Sequence, residues 1–297
     1  GATILVFLAL SGCPYGEKLR KERDIAENIF REGITDLYIW TSCFRREIQW
    51  TCGISPDILN WFLYHCRGEI YNIGRLQFRM GYRFPDTLRI YRRKTDGEVR
   101  ILVAPGQKFN RLGLYEKGTD FLETTIEQQD GEIIANAVND HGFVEQTEIT
   151  VRLSEWEEYI MPGDQLLDIH IPENGPLSPE ACKDSMEKAP AFFKRYFPEY
   201  EFKGFVCISW LLDPQFGSLL HPDSNIVKFQ RLAGFRNKKS GNRNPGGSSY
   251  LDSTDIVRFS ECRRTFLLRR DLCAVKNVIR EFYKKSPNDS VKNNMKK

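Results

Sequence analysis

The chain has 297 residues, enough to bury one large core or two modest ones, and its 41% hydrophobic and 28% charged composition is that of a globular protein rather than a disordered or fibrous one. Its 43 Lys/Arg and 40 Asp/Glu leave a formal charge of +3, unevenly spread: residues 234–297 hold 16 Lys/Arg against 6 Asp/Glu, so a mildly acidic body precedes a basic end. Such a basic end is ordinarily solvated, so no specific nucleic-acid partner is expected. The 4 His are scattered and none of the 8 Cys lies in a C-x-x-C pair, which argues against a zinc site and for reduced thiols in a cytoplasmic protein.

In chain order, Ala2–Leu10 is an apolar run too short to span a bilayer, and it lacks the preceding basic residue and small-residue cleavage pattern of a secretory signal. It reads as the end of a helix whose upstream part is missing, and no membrane contact is expected. Residues 1–66 are predicted helical. Leu19, Ile25, Ile29, Leu37 and Ile39 mark apolar faces, and Ser55-Pro56 opens a helix that holds Ile58, Leu59, Phe62 and Leu63. From Glu69 the hydrophobic period falls to two. Strands are predicted over Ile70–Met80, Thr87–Arg93, Val99–Val103, Ile133–Val138 and Thr147–Leu153. Turns are predicted at Thr95-Asp96-Gly97, Asp130-Gly131 and Asp140-His141-Gly142, and Gly74 predicts a bulge or a close backbone approach. Residues 67–160 thus form a β-rich region.

The stretch from Asp164 to Gln230 then reads as a βαβ unit. Leu166–Ile171 is a short apolar strand ended by Pro172, Ser178-Pro179 opens a helix to Phe197, and Lys203–Leu212 is a second apolar strand. A crossover helix between two such strands predicts a parallel pair, so the fold class is α+β: N-terminal helices, a mixed and mainly antiparallel sheet, and the βαβ unit. Pro190 is expected to kink or split the crossover helix. The period of two puts Asp168 and His170 on one face of the first strand, and Phe205, Cys207 and Ser209 together on one face of the second. One consistent pairing gathers Asp168, His170, Cys207 and Ser209 on one side of the sheet, the densest set of reactive side chains in the chain. Beyond Gln230, residues 235–250 read as a flexible loop, Asp271–Lys285 as a helix and 286–297 as a disordered tail.

Three segments, HCRGEIYNIGRLQFRM from His65 to Met80, LLDIHIPENGPLSPEACKDSMEKAPAFFKRYFPEYEFKGFVCISWLLDPQF from Leu166 to Phe216, and DSNIVKFQ from Asp223 to Gln230, resemble a family of bacterial acyltransferases. Its members have an N-acyltransferase N-terminal region followed by a GNAT-like C-terminal domain, which here would occupy residues 161–297. The resemblance implies acetyl-CoA or another acyl-CoA as co-substrate, no metal, and an amine of a small molecule or peptide as acceptor. It places the CoA pyrophosphate at the N-terminus of the crossover helix, where Asn174, Gly175, Leu177 and Ser178 would bind it, with Asn225 as a further polar candidate. Free N–H groups and the positive dipole end suit an anion there. The usual acyl-CoA pattern, Gln or Arg followed by x-x-G-x-G/A, is absent, and Pro176 and Pro179 remove two N–H donors. For catalysis, His170 is the candidate general base, Asp168 its orienting partner, and Cys207 or Ser209 the donors to the leaving thiolate. Two other readings stand beside this one: a Cys207 nucleophile with His170 as base, and a ligand-binding protein without turnover.

Overall fold

The computed structural model describes residues 2–48, 53–54, 56–113, 121–139, 142–173, 175–212, 216–232 and the backbone of 256–259. The predictions for His141, for the 235–250 loop, for the 271–285 helix and for the 286–297 tail lie outside the described residues. Four helices open the chain: α1 (Ala2–Leu10), α2 (Cys13–Glu22), α3 (Glu27–Ile48) and α4 (Pro56–Arg67). The charges at their ends suit the helix dipole, with Glu27 in the first turn of α3 and Arg45 and Arg46 in its last. Ala9, Ile54 and Phe62 form a small core between α1 and α4. Between α2 and α3, Asp24 takes a left-handed φ of 53°, and Ile25 behind it enters the main core at 1% exposure.

Two sheets follow. The first has five strands in the order β1 (Ile70–Ile73), β2 (Leu76–Arg83), β11 (Gln165–His170), β12 (Phe205–Ile208) and β13 (Ile256–Phe259). The second runs β10 (Trp156–Ile160), β3 (Leu88–Arg93), β4 (Val99–Val103), β8 (Glu132–Val138) and β7 (Ile126–Gln129), with β9 (Val144–Arg152) also on β8. A short pair, β5 (Lys108–Phe109) and β6 (Leu122–Glu123), stands apart. Because β2 lies beside β11, the first sheet draws strands from both sides of residue 160.

The predicted strand Ile70–Met80 is in fact a hairpin. Gly74 has φ +66°, and a Cβ there would meet the Ser185 Oγ at 2.7 Å, so Gly satisfies both the turn and the close approach. The Asp130-Gly131 turn is as predicted, with both residues at positive φ, the requirement of a tight two-residue hairpin.

β11 and β12 are parallel neighbours, joined by α5 (Pro179–Tyr196), as the βαβ reading requires. The second strand is shorter than predicted, four residues, because Trp210–Leu212 coils into a 3-10 turn. Pro190 does not split α5, which runs unbroken for 18 residues. Burial explains this: Cys182, Met186, Ala189 and Phe193 of α5 pack on Leu167, Ile169, Phe205 and Cys207 of the sheet. Burying one such side chain contributes ~1.5–3 kcal/mol, so this stripe outweighs the ~3 kcal/mol cost of an interior proline. On the opposite face, Leu166 and Val206 pack against Leu88, Ile90 and Val103 of the second sheet. A short helix α6 (Phe216–Leu219) and then α7 (Asn225–Leu232) follow β12, the Val227 N–H of α7 capped by Ser224 Oγ at 3.3 Å.

Candidate functional site

The site is built on a β-bulge. Along β2 and β11, Leu166 faces Tyr82 but Asp168 faces Arg79, so β2 holds one extra residue between these pairs. Gly81 takes the left-handed φ of +87° within the bulge. The Tyr200 hydroxyl clamps it, accepting from Gly81 N–H at 3.0 Å and donating to the Leu166 carbonyl at 2.9 Å. Without the extra residue, the period of two would turn Arg79 to the far face. With it, Gln77, Arg79, Asp168 and His170 share one face. Replacing Tyr200 by Phe is expected to lower stability by about 1–3 kcal/mol, because two backbone groups lose their partner; a denaturant melt measures this.

Asp168 is the hub of that face. Its side chain is 3% exposed and its Oδ2 accepts from Arg79 Nε at 3.1 Å, from Arg79 Nη2 at 2.8 Å and from His170 Nε2 at 2.9 Å. Its Oδ1 is buried with no hydrogen-bond partner among the described residues. An ionised carboxylate only accepts, so the hydrogen of a neutral His170 sits on Nε2 and Nδ1 keeps its lone pair. The His170 side chain is 24% exposed, and its ring lies against that of Trp61, with centroids 4.1 Å apart. The Arg79 guanidinium lies 4.6 Å from the centre of the Tyr64 ring. Both aromatic residues come from α4, so the N-terminal helices form part of the site.

A second His–Asp pair lies behind Trp61. Asp36 on α3 is buried, and its Oδ2 accepts from Gln77 Nε2 at 3.0 Å and from Trp61 Nε1 at 3.4 Å. His65 Nε2 is 3.1 Å from the same oxygen, an ionic-contact distance with the ring turned off the line of a straight hydrogen bond. Burial pushes the Asp36 carboxyl up, but the His65 imidazole beside it, then the Gln77 and Trp61 donors, outweigh burial and the net shift is downward. A carboxyl lowered on folding adds stability above its unfolded pKa, near 3.9, and loses it as pH falls through the folded value. Asp36→Asn is therefore expected to be about 1–3 kcal/mol less stable at pH 7. The gap to the parent should close below about pH 4, measurable as melts across pH. In the sequence Trp61 reads as packing surface, His65, Gln77 and Arg79 stand in the His65–Met80 segment with no role of their own, and Asp36 is not singled out. Only the polar Gln77 and Arg79, alternating with apolar Leu76 and Phe78 in a strand, carried any signal of a second polar row.

Cys207 and Ser209 do not join this face. The parallel register pairs Asp168 with Val206 and Ile169 with Cys207, so Val206 and Ile208 share the side of Asp168 and His170. Cys207 is fully buried under α5 with Leu167 and Ile169, opposite His170. The expected gathering of four reactive groups was one register step out. Ser209 follows the end of β12 and accepts from Leu211 N–H at 3.3 Å.

At the N-terminus of α5, Ser178 caps the helix, its Oγ accepting from Ala181 N–H at 3.3 Å. Gly175 is exposed at φ +125°, and Leu177 is buried in the core, which removes its side chain from any ligand. Asn174 lies outside the described residues, and Asn225 is exposed at the start of α7. Arg75, from the β1–β2 turn, reaches this loop unforeseen. It donates to the Pro176 carbonyl at 3.0 Å and the Gly175 carbonyl at 2.9 Å, while its Nη1 has no partner among the described residues. Burial lowers its pKa, yet a guanidinium stays charged. Beside the loop, an open groove of ≈ 640 Å³ is lined by Tyr38, Ile39, Ser42, Arg45, Arg46 and Glu173. Among the described residues no cluster of three His, Cys, Asp or Glu could hold a metal, and no helix is long and apolar enough to cross a membrane.

Residues 70–275 match the family model described as "GNAT-like C-terminal domain". No curated protein matches the chain. Among solved structures, an acyltransferase in complex with decanoyl-CoA and teicoplanin is 23% identical, with a TM-score of 0.45, over 76% of this chain and 46% of its own. An acyltransferase with decanoyl-CoA is 23% identical, TM-score 0.46, over 77% and 47%. One with CoA and 10C-teicoplanin is 23% identical, TM-score 0.45, over 76% and 46%. The chain therefore spans about half the length of the solved structures it matches.

Proposed function

The chain belongs to the GNAT-like C-terminal domain family, and from that premise we propose that it transfers an acyl group from an acyl-CoA to an amine of a small molecule or peptide. The observation that carries this reading is His170. It ends β11, at the carboxyl side of a parallel pair whose ladder stops one residue earlier, at Ile169 and Cys207. Ligands of open α/β sheets enter at such strand ends. Asp168 fixes the Nε2 hydrogen, Arg79 holds Asp168, and the lone pair of Nδ1 is available to accept a proton.

In this reading an ammonium first gives its proton to His170. The amine nitrogen bonds to the thioester carbon and sheds its second proton to solvent, the C–S bond breaks, and the departing CoA thiolate takes the proton held by His170 to become the thiol. The products are an amide and free CoA. At the N-terminus of α5, Pro179 has no N–H and the N–H groups of Ala181 and Cys182 donate to Ser178, so the Glu180 N–H and the Ser178 hydroxyl hydrogen are what it offers a pyrophosphate, with the positive charge of Arg75 behind the loop. The groove between α3 and Glu173, three residues beyond His170, offers the acceptor a place beside the reacting atoms.

The test is turnover on the protein with a panel of acyl-CoA thioesters and amines, followed as free CoA thiol and as amide mass. Thiol release matched one to one by amide supports the reading. Stabilisation by CoA thioesters with no amide from any amine would instead favour the binding protein without turnover.

A further inference from the structure

Away from the sheet, two cysteines far apart in sequence meet sulfur to sulfur. Cys13 opens α2 and Cys66 lies in the last turn of α4, and their Sγ atoms are 3.1 Å apart across a separation of 53 residues. Both are free thiols. The two helix backbones are in contact around them: a Cβ on Gly12 would lie 3.3 Å from Cys66 Cβ, and one on Gly16 only 2.1 Å from the Cys66 carbonyl oxygen. Glycine at these positions lets α2 press on α4 and holds the thiols together. A disulfide needs an S–S distance of ~2.0 Å, so closing the pair requires a shift of about 1 Å.

We propose that Cys13 and Cys66 form an oxidisable dithiol, converted by a peroxide into a disulfide that ties α2 to the end of α4. The two sulfurs have different roles. Cys13 is half-buried and within reach of solvent, whereas Cys66 is 1% exposed. Burial also pushes the Cys66 thiol well up from its ordinary range, which keeps it protonated and unreactive until a partner is oxidised. The sulfur of Cys13 attacks the peroxide O–O bond, giving a sulfenic acid and, from hydrogen peroxide, one water. The sulfur of Cys66 then displaces the sulfenic oxygen, which leaves as a second water. Two thiols and one peroxide thus become one disulfide and two waters, and a dithiol reductant reverses the change. Cys182 on α5 and Cys207 on β12 are fully buried where the helix meets the sheet and are shielded from the oxidant.

The link closes a loop that contains α3 and most of α4. Cys66 follows His65, which touches Asp36, and one turn earlier Trp61 packs on His170. Oxidation would therefore tie α2 to the helix that covers this face of the sheet. The proposal does not depend on acyl transfer.

The experiment is peptide mapping of the native protein under non-reducing conditions, after stoichiometric hydrogen peroxide and alkylation of the remaining thiols. The expected result is a peptide pair linked through Cys13 and Cys66 and a melting temperature raised by roughly 5 °C or more, both reversed by dithiothreitol. Cys13→Ser should abolish the linked pair and leave the melting temperature unresponsive to peroxide. A Cys13 that proceeds to sulfinic or sulfonic acid without a link, a link from Cys13 to any other cysteine, or two thiols that remain alkylatable after peroxide would each overturn the proposal.

Discussion

Replacing His170 by Ala is expected to lower acyl transfer by roughly 10²-fold or more, the usual contribution of a positioned general base. The fall should appear mainly in kcat, since the base takes the proton of the bound ammonium and does not hold either substrate. Stability should change little. The ring is 24% exposed, and Asp168 keeps both bonds from Arg79 when His170 is gone. Its contact with Trp61 is the main packing lost. A kinetic assay and a melting curve on this one variant separate the possible roles. A lower melting temperature with unchanged specific activity would show that the imidazole serves packing alone, and would end its catalytic reading.

The largest loss of stability is expected from Asp168→Ala. The carboxylate is 3% exposed and its partner Arg79 is 21% exposed, so removing the anion leaves a guanidinium mostly shut away from water beside Tyr64. Breaking one side of a buried pair costs about 3–5 kcal/mol, a large part of the ~5–15 kcal/mol that holds a domain folded. The double variant Asp168→Ala with Arg79→Met should recover much of that loss, because the orphaned charge is removed as well. Denaturant midpoints of the two single variants and the double variant give the coupling. A single Asp168→Ala variant as stable as the parent would mean that the pair is solvated and that the bulge does not deliver Arg79 to it.

Much of the architecture is determined locally and was legible in the chain. The serine cap and proline at Ser178-Pro179, the apolar stripe from Cys182 to Phe193, and two short apolar strands around it lead to a βαβ unit, since each signal acts within a few residues of itself. The same holds for the Asp130-Gly131 hairpin, where backbone sterics at two residues decide the turn. Asp168 and His170 share a face for a reason equally local, the alternation along one strand.

What those two residues face was settled only by tertiary structure. The alternation in β12 is as clear as that in β11, but it leaves two parallel registers open, and the expected one placed Cys207 beside His170. The register observed puts Cys207 in the core, where Leu167, Ile169 and α5 enclose it, and leaves Val206 to meet the second sheet. The choice lies in how two whole faces pack, a sum over many side chains that no single position announces. Arg79 reaches Asp168 because one extra residue at Gly81, held by Tyr200 from beyond α5, reverses the faces of β2. Asp36 meets Gln77 and Trp61 meets His170, 109 residues further along the chain, because α3 and α4 fold over this sheet. Local propensity decides which elements form; the long-range burial of their faces decides which side chains meet at the site.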